Sequence, residues 1–197
     1  MSIAIIRTIQ VLEEIVQVLP VGTNLALLHL MWAMVNGSFL RSRGAVHGAL
    51  VESGFTLGQV RRSWSALRYG VWSISELVGR WRAIVLREGR WQSREYDGYR
   101  PLAVDITAFW RPQLQGWAGK FFYRLANRAV KGVGFGVIVQ VGQVDGQRIP
   151  LLKRIIRVKQ SEMSEADLKA GILRQVATYL EESEVWVHDA GVVNMRP

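Results

Sequence analysis

The chain has 197 residues, a formal net charge of +9 and no cysteine. At roughly 150 residues per domain the length suits one full domain, or a small domain joined to part of another. The missing cysteines exclude a disulfide scaffold and any thiolate metal site, and His29, His47 and His188 lie far apart in sequence, which leaves oxygen-ligated Mg²⁺ as the open metal option.

A content of 49% hydrophobic residues supports a sizeable core. The excess of 25 Lys and Arg over 16 Asp and Glu, together with eight Trp, points to a phosphate-rich partner, nucleic acid first. The N-terminal stretch carries Glu13 and Glu14 in a helical pattern rather than a signal peptide's uninterrupted apolar run, so the expected location is cytoplasmic, and nucleoid-associated in a prokaryote. The most apolar segment, Leu25 to Val35, is too short to span a bilayer and reads as a buried core helix; no membrane and no small-molecule substrate is expected.

Residues 9 to 90 read as helices with short stops. Ile9, Leu12, Ile15, Val16 and Leu19 form one apolar face ended by Pro20, and a second helix runs from about Asn24 to Leu40. A third, Arg43 to Glu52, stops at Gly54. Thr56-Leu-Gly-Gln59 and Ser73-Ile-Ser-Glu76 have the capping-box pattern and open helices to about Tyr69 and Glu88, the last stopped by Gly89. Val60, Trp64 and Leu67, then Leu77, Val78, Trp81, Ile84 and Val85, form their apolar stripes, leaving Arg61, Arg62, Arg68, Arg80, Arg82 and Arg87 for the polar sides. Between Arg41 and Arg100 there are eleven Arg against five acids, a candidate phosphate-contacting block. Such a tri-helix with an Arg-rich exterior resembles a helix-turn-helix unit; an ordinary solvated bundle is the competing reading.

Beyond Trp91 the period changes. Tyr99 to Phe109, Phe135 to Val144 and Arg148 to Val158 read as strands, the last two joined by an Asp145-Gly146 hairpin turn. Ser164 caps a helix with Leu168, Ile172, Val176 and Leu180 on one side, and Glu184 to Val193 gives a last strand. The fold class is therefore α+β: a helical region, residues 1–92, then strand, strand, strand, helix, strand over residues 93–197.

In a meander followed by a helical crossover, the fourth strand runs parallel to the first and can pair beside it. Asp105 shares a face with Ala103 and Thr107, and Asp189 one with Val185 and Val187, so one register sets both carboxylates on the same sheet face. Two such groups fit a divalent cation or an open cleft; alternatively, Asp105 accepts hydrogen bonds from nearby backbone and Asp189 shapes a turn. Val104, Ile106, Val137, Val139 and Ile155 are expected on one apolar face, incompletely covered and prone to self-association. Gly132-Val-Gly-Phe-Gly136 leads into a strand rather than a helix, which argues against a phosphate loop.

The segment Tyr99-Arg-Pro-Leu-Ala-Val-Asp-Ile-Thr-Ala-Phe-Trp-Arg-Pro112, the hairpin and crossover helix, and Val185-Trp-Val-His-Asp-Ala-Gly191 resemble the first part of the ribonuclease H-like catalytic domain of DDE-type insertion-sequence transposases. Ser38 to Gly44 and Gly70 to Leu77 resemble the helical region that precedes that domain in some of these proteins. The resemblance implies that Asp105 and Asp189 are the first two acids of the triad. It further implies that they hold Mg²⁺, with Mn²⁺ as substitute, for strand cleavage and transfer on double-stranded DNA.

The family's third acid, a Glu on a later helix, has no counterpart in the eight residues after Asp189. Glu162, Glu165, Glu181, Glu182 and Glu184 all precede the last strand and read as a solvated helix face. The expectation is thus an N-terminal transposase portion, inactive alone; the alternative is a noncatalytic DNA-binding protein that uses the Arg-rich helices.

Overall fold

The computed structural model describes residues 2–113, 115, 119–157 and 165–188. The chain divides into two compact units, one up to Ile84 and one from Val85. The sequence reading set the division at residue 92, but Trp91 already belongs to the second unit. Its ring is buried, its Nε1 donates to the Ile149 carbonyl at 2.8 Å, and Trp91–Ser93 pairs with a later strand.

The first unit contains α1 (Ile3–Val16), α2 (Thr23–Val35), α3 (Ser38–Arg41), α4 (Val46–Glu52), α5 (Leu57–Tyr69) and most of α6 (Ile74–Arg87). The expected second helix is broken at Asn36-Gly37, because Gly37 takes a left-handed conformation that caps α2 and starts α3 anew. Helix α2 is apolar on nearly every side and accordingly lies at the centre, against α1, α3, α4 and α5. Leu27, Leu30 and Ala33 meet Ile15, Val16 and Leu19 near α1, Ala49 and Leu50 of α4, Val60 of α5 and Ile84 of α6 in one core.

Two apolar stripes differ from expectation. Helix α5 buries Val60, Ser63 and Ala66, whereas Trp64 and Leu67 are exposed; in α6, Val78 and Ile84 are buried and Trp81 is exposed. The small side chains of Ser63 and Ala66 let α5 approach α2 closely, which rotates the larger Trp64 outward. The caps fall where the pattern put them. Gln59 N–H donates to Thr56 Oγ1, Thr56 N–H donates to Gln59 Oε1 at 2.8 Å, and Glu76 N–H donates to Ser73 Oγ at 3.1 Å.

The second unit holds β1 (Trp91–Ser93), β2 (Arg100–Trp110), β3 (Lys120–Tyr123), β4 (Arg128–Gln140), β5 (Gly142–Val144), β6 (Gln147–Arg148), β7 (Leu151–Ile156), α7 (Glu165–Ala177) and β8 (Glu184–Val187). Strands β1, β5 and β6 form a small antiparallel sheet, so the Asp145-Gly146 turn, with both residues at positive φ, closes β5 and β6 rather than the main strands. The main sheet runs β3-β4-β2-β8, with β7 also paired to β4. Among the four strands foreseen, the order across the sheet is third, second, first, fourth, and β8 is parallel to β2 as the crossover argument required. Strand β3 and the N-terminal half of β4 were not anticipated. The described part of the last strand ends at Val187, and Ser164 lies outside the described residues.

Helix α7 covers one face of this sheet: Ile172 and Val176 pack on Leu102, Val104, Ile138 and Ile156. Cross-strand pairs of Val104 with Ile138, and of Asp105 with Val137, show that Val104 and Ile106 lie on this covered face. Val137, Val139 and Ile155 lie on the other, against the expectation of one shared face, since residues one apart alternate sides. Glycines of β4 admit the cover. A Cβ at Gly136 would stand 2.3 Å from Ile172 Cγ2, and one at Gly134 would stand 2.4 Å from Phe121 Cζ. The Gly132 to Gly136 run is therefore strand interior, kept side-chain-free so that α7 and the Phe121 ring can sit on it.

Candidate functional site

Asp105 lies in the middle of β2, exposed, on the face opposite α7. Its neighbours there are Ala103 and Thr107 along the strand and Val137 across it, with Ile155 beyond Val137. Thr107 alone among these carries a polar side chain, and exposure to water offsets the cost of placing a carboxylate beside apolar groups.

Beside it, the parallel ladder pairs Arg100 with Glu184, Pro101 with Val185, Leu102 with Trp186 and Ala103 with Val187. Val185 and Val187 consequently share the face of Asp105, and both are substantially exposed. Asp189 lies outside the described residues. Among the described residues, no group of three or more His, Cys, Asp or Glu could hold a metal ion, so they do not by themselves make up a Mg²⁺ site.

Glu181 and Glu182 are exposed, as a solvated face requires, whereas Glu184 departs from that expectation. Glu184 is buried and receives Lys153 Nζ at 2.5 Å on both carboxylate oxygens, together with the Glu181 N–H at 2.9 Å. Lys153 is the extra residue of a β-bulge in β7, where pairing shifts between Ile138 and Val139, and the bulge aims its side chain at β8. Lys153, chiefly by its charge, also lowers the pKa of Glu181 from its ordinary value, helped by Arg100 at 3.0 Å. This cluster ties β2, β7 and the α7–β8 turn together. In it the buried Glu184 carboxylate is fully engaged.

The Arg block separates likewise. Arg41 is spent on Glu52, Ser38 and the Asn36 carbonyl, bracing α3 against α4. Arg90, Arg94 and Arg100 belong to the second unit and bond Asp145, Gln143 and Ser183 respectively. Of the six arginines assigned to DNA, Arg61, Arg62, Arg68 and Arg87 are exposed, whereas Arg80 and Arg82 are half-buried and Arg80 Nε is enclosed without a hydrogen-bond partner among the described residues. Three exposed guanidinium groups, Arg61, Arg62 and Arg68, therefore share α5. That helix follows α4 through the four-residue turn Ser53-Gly54-Phe55-Thr56, in which Gly54 is left-handed and Phe55 N–H bonds the Leu50 carbonyl. The tri-helix read from the sequence corresponds to α4, α5 and α6, whose two connecting turns are each four residues long, and α5 is the one of the three that carries three exposed arginines.

A further basic and aromatic surface escaped the sequence reading. At the far end of the open face, Lys120 pairs directly with Lys131, Phe122 with Ala129 and Phe109 with Val133. The signal was present in composition. From Ile106 to Val144 the chain carries Arg111, Lys120, Arg124, Arg128 and Lys131 and no acidic residue.

No protein-family profile, no curated protein and no solved structure matches the chain. No helix among the described residues is long and apolar enough to cross a membrane.

Proposed function

We propose that the chain is a DNA transposition protein: a helical unit that grips duplex DNA, joined to the first part of a ribonuclease H-like catalytic domain. The observation that carries this reading is the strand arrangement around Asp105. Strand β8 returns parallel beside β2 through α7, in a register whose last described pair, Ala103 with Val187, stands two residues short of both Asp105 and Asp189. Continued by two residues, that ladder would set the two carboxylates side by side on the open face. They would supply hard oxygen ligands to Mg²⁺ or Mn²⁺, whose chemistry in such sites is in-line phosphoryl transfer at DNA strands.

Duplex binding falls to Arg61, Arg62 and Arg68 on α5, which the α4–α5 turn presents as the second helix of a helix-turn-helix pair. The same observation supports the second reading, a noncatalytic DNA-binding protein, in which Asp105 is dispensable. Titration of labelled duplex DNA should show affinity falling steeply with salt, since each neutralised phosphate releases counterions. Joint replacement Arg61→Glu, Arg62→Glu and Arg68→Glu should abolish binding while leaving the helical circular dichroism intact, because all three side chains are exposed. Unchanged affinity and salt slope in that variant would overturn the placement.

A further inference from the structure

The open face of the main sheet holds, at its distal end, a set of groups that neither Asp105 nor the α5 arginines need. Direct cross-strand partners share a face, so Phe109, Val133 and Phe135 from β2 and β4 lie on the same side as Lys120 and Phe122 of β3, Lys131 of β4 and, further along, Asp105. Phe109 and Phe122 are 59% and 50% exposed. Phe135 meets Phe109 edge to face, with ring centroids 5.8 Å apart, which fixes the Phe109 ring in one attitude. Exposed, oriented aromatic rings on a sheet are costly in water. Lys120 lies directly opposite Lys131, which sets two cations side by side on this face.

We infer that this face binds an unpaired DNA strand, with bases stacked on Phe109 and Phe122 and the backbone phosphates drawn to Lys120 and Lys131. Charge complementarity selects the partner class: Lys120 and Lys131 stand side by side beside these rings, and the one carboxylate the register puts on the face, Asp105, lies further along β2. The rings select single strands, because bases stacked within a duplex have no free π-face to offer, whereas every unpaired base does. Binding stands on these residues alone; that the strand runs on towards Asp105 rests on the reading proposed above.

The test is fluorescence anisotropy with a labelled oligothymidylate of about a dozen nucleotides, within the span single-strand-binding folds accommodate. The wild-type chain should bind it in a salt-dependent manner. The Phe109→Ala, Phe122→Ala double variant should weaken binding on the order of tenfold or more. Both rings are exposed, so the fold should survive, as thermal melting will verify. Lys120→Ala with Lys131→Ala should flatten the slope of log affinity against log salt by about 1.4, the single-strand value for two phosphates.

The α5 triple charge reversal should leave oligothymidylate binding unchanged even though duplex binding is lost. Absent wild-type binding, equal binding by the Phe double variant, or loss of oligothymidylate binding in the α5 variant would each overturn the inference. Tighter binding of oligouridylate than of oligothymidylate would do so too, since the face would then be reading RNA. Loss of the duplex reading alone, with oligothymidylate binding still sensitive to Phe109 and Phe122, would leave this inference standing.

Discussion

His29 sits in the core of the helical unit, where burial gives its titration a consequence for stability. Its ring lies 4.4 Å from that of Phe55, and its Nδ1 is 3.5 Å from the buried Ser63 Oγ, wedged between α2 and α5. Burial first, and the Arg62 charge second, lower its pKa from the ordinary 6.5. Between 6.5 and that lowered value the unfolded chain binds a proton that the folded chain does not, so stability rises with pH across this window and is lost as pH falls through it. Urea midpoints taken from about pH 7 down to about pH 5 should therefore decline, over the range where an ordinary histidine titrates. In His29→Gln this component of the decline should disappear. A wild-type midpoint that holds constant or increases on acidification would show that His29 is not the controlling group. The exposed Arg90–Asp145 pair, by contrast, is worth little at any pH where both are charged, because two flexible side chains must be held in place in high dielectric.

Among the elements, β7 and β8 depend on one another through a contact that alternation could not reveal. Glu184 is almost wholly buried, and Lys153 is its cation. Lys153→Met keeps the aliphatic stem but strands the carboxylate, which should cost about 3–5 kcal/mol, the range for breaking a buried pair from one side. Equilibrium denaturation would detect this easily, and a loss under about 1 kcal/mol would mean that water reaches Glu184 as it does a surface carboxylate. Periodicity could not have found this pair, because a β-bulge adds one residue and sends Lys153 out of the alternation that sequence patterns assume.

What the sequence made legible was local chemistry: the Thr56–Gln59 capping box, the stops at Gly54 and Gly89, the Asp145-Gly146 turn and the crossover that sets β8 beside β2. It misassigned the stripe of α5, because a close helix contact selects small residues such as Ser63 and Ala66, which carry no hydrophobic signal. It also missed β3 and the first half of β4, where Gly132 and Gly134 read as the entry to a strand starting at Phe135 although they lie inside β4 with Phe121 in the space their side chains would take. The basic aromatic face went unnoticed for the same reason, since its members come together only once β2, β3 and β4 are in register.

At the scale of the whole molecule, the catalytic reading stands on Asp105 and Asp189 being neighbours, and the absence of cysteine allows a direct test. Ala103 and Val187 are described partners across the β2–β8 ladder, so Ala103→Cys with Val187→Cys is the internal standard. Cα atoms of paired strand residues fall within the separation that a disulfide spans. Asp105→Cys with Asp189→Cys asks whether the ladder continues for two more residues. Asp105→Cys with Val185→Cys is the negative control, because Val185 pairs with Pro101, four residues back along β2 and roughly 13 Å away at the rise of an extended strand. After mild oxidation, the standard and the aspartate pair should both run faster on a non-reducing gel and revert with reductant, while the control should not. Closure of the standard without closure of the aspartate pair would keep the sheet but separate the two carboxylates. The metal-binding reading would then fall, leaving the noncatalytic DNA-binding alternative, to which neither aspartate is essential.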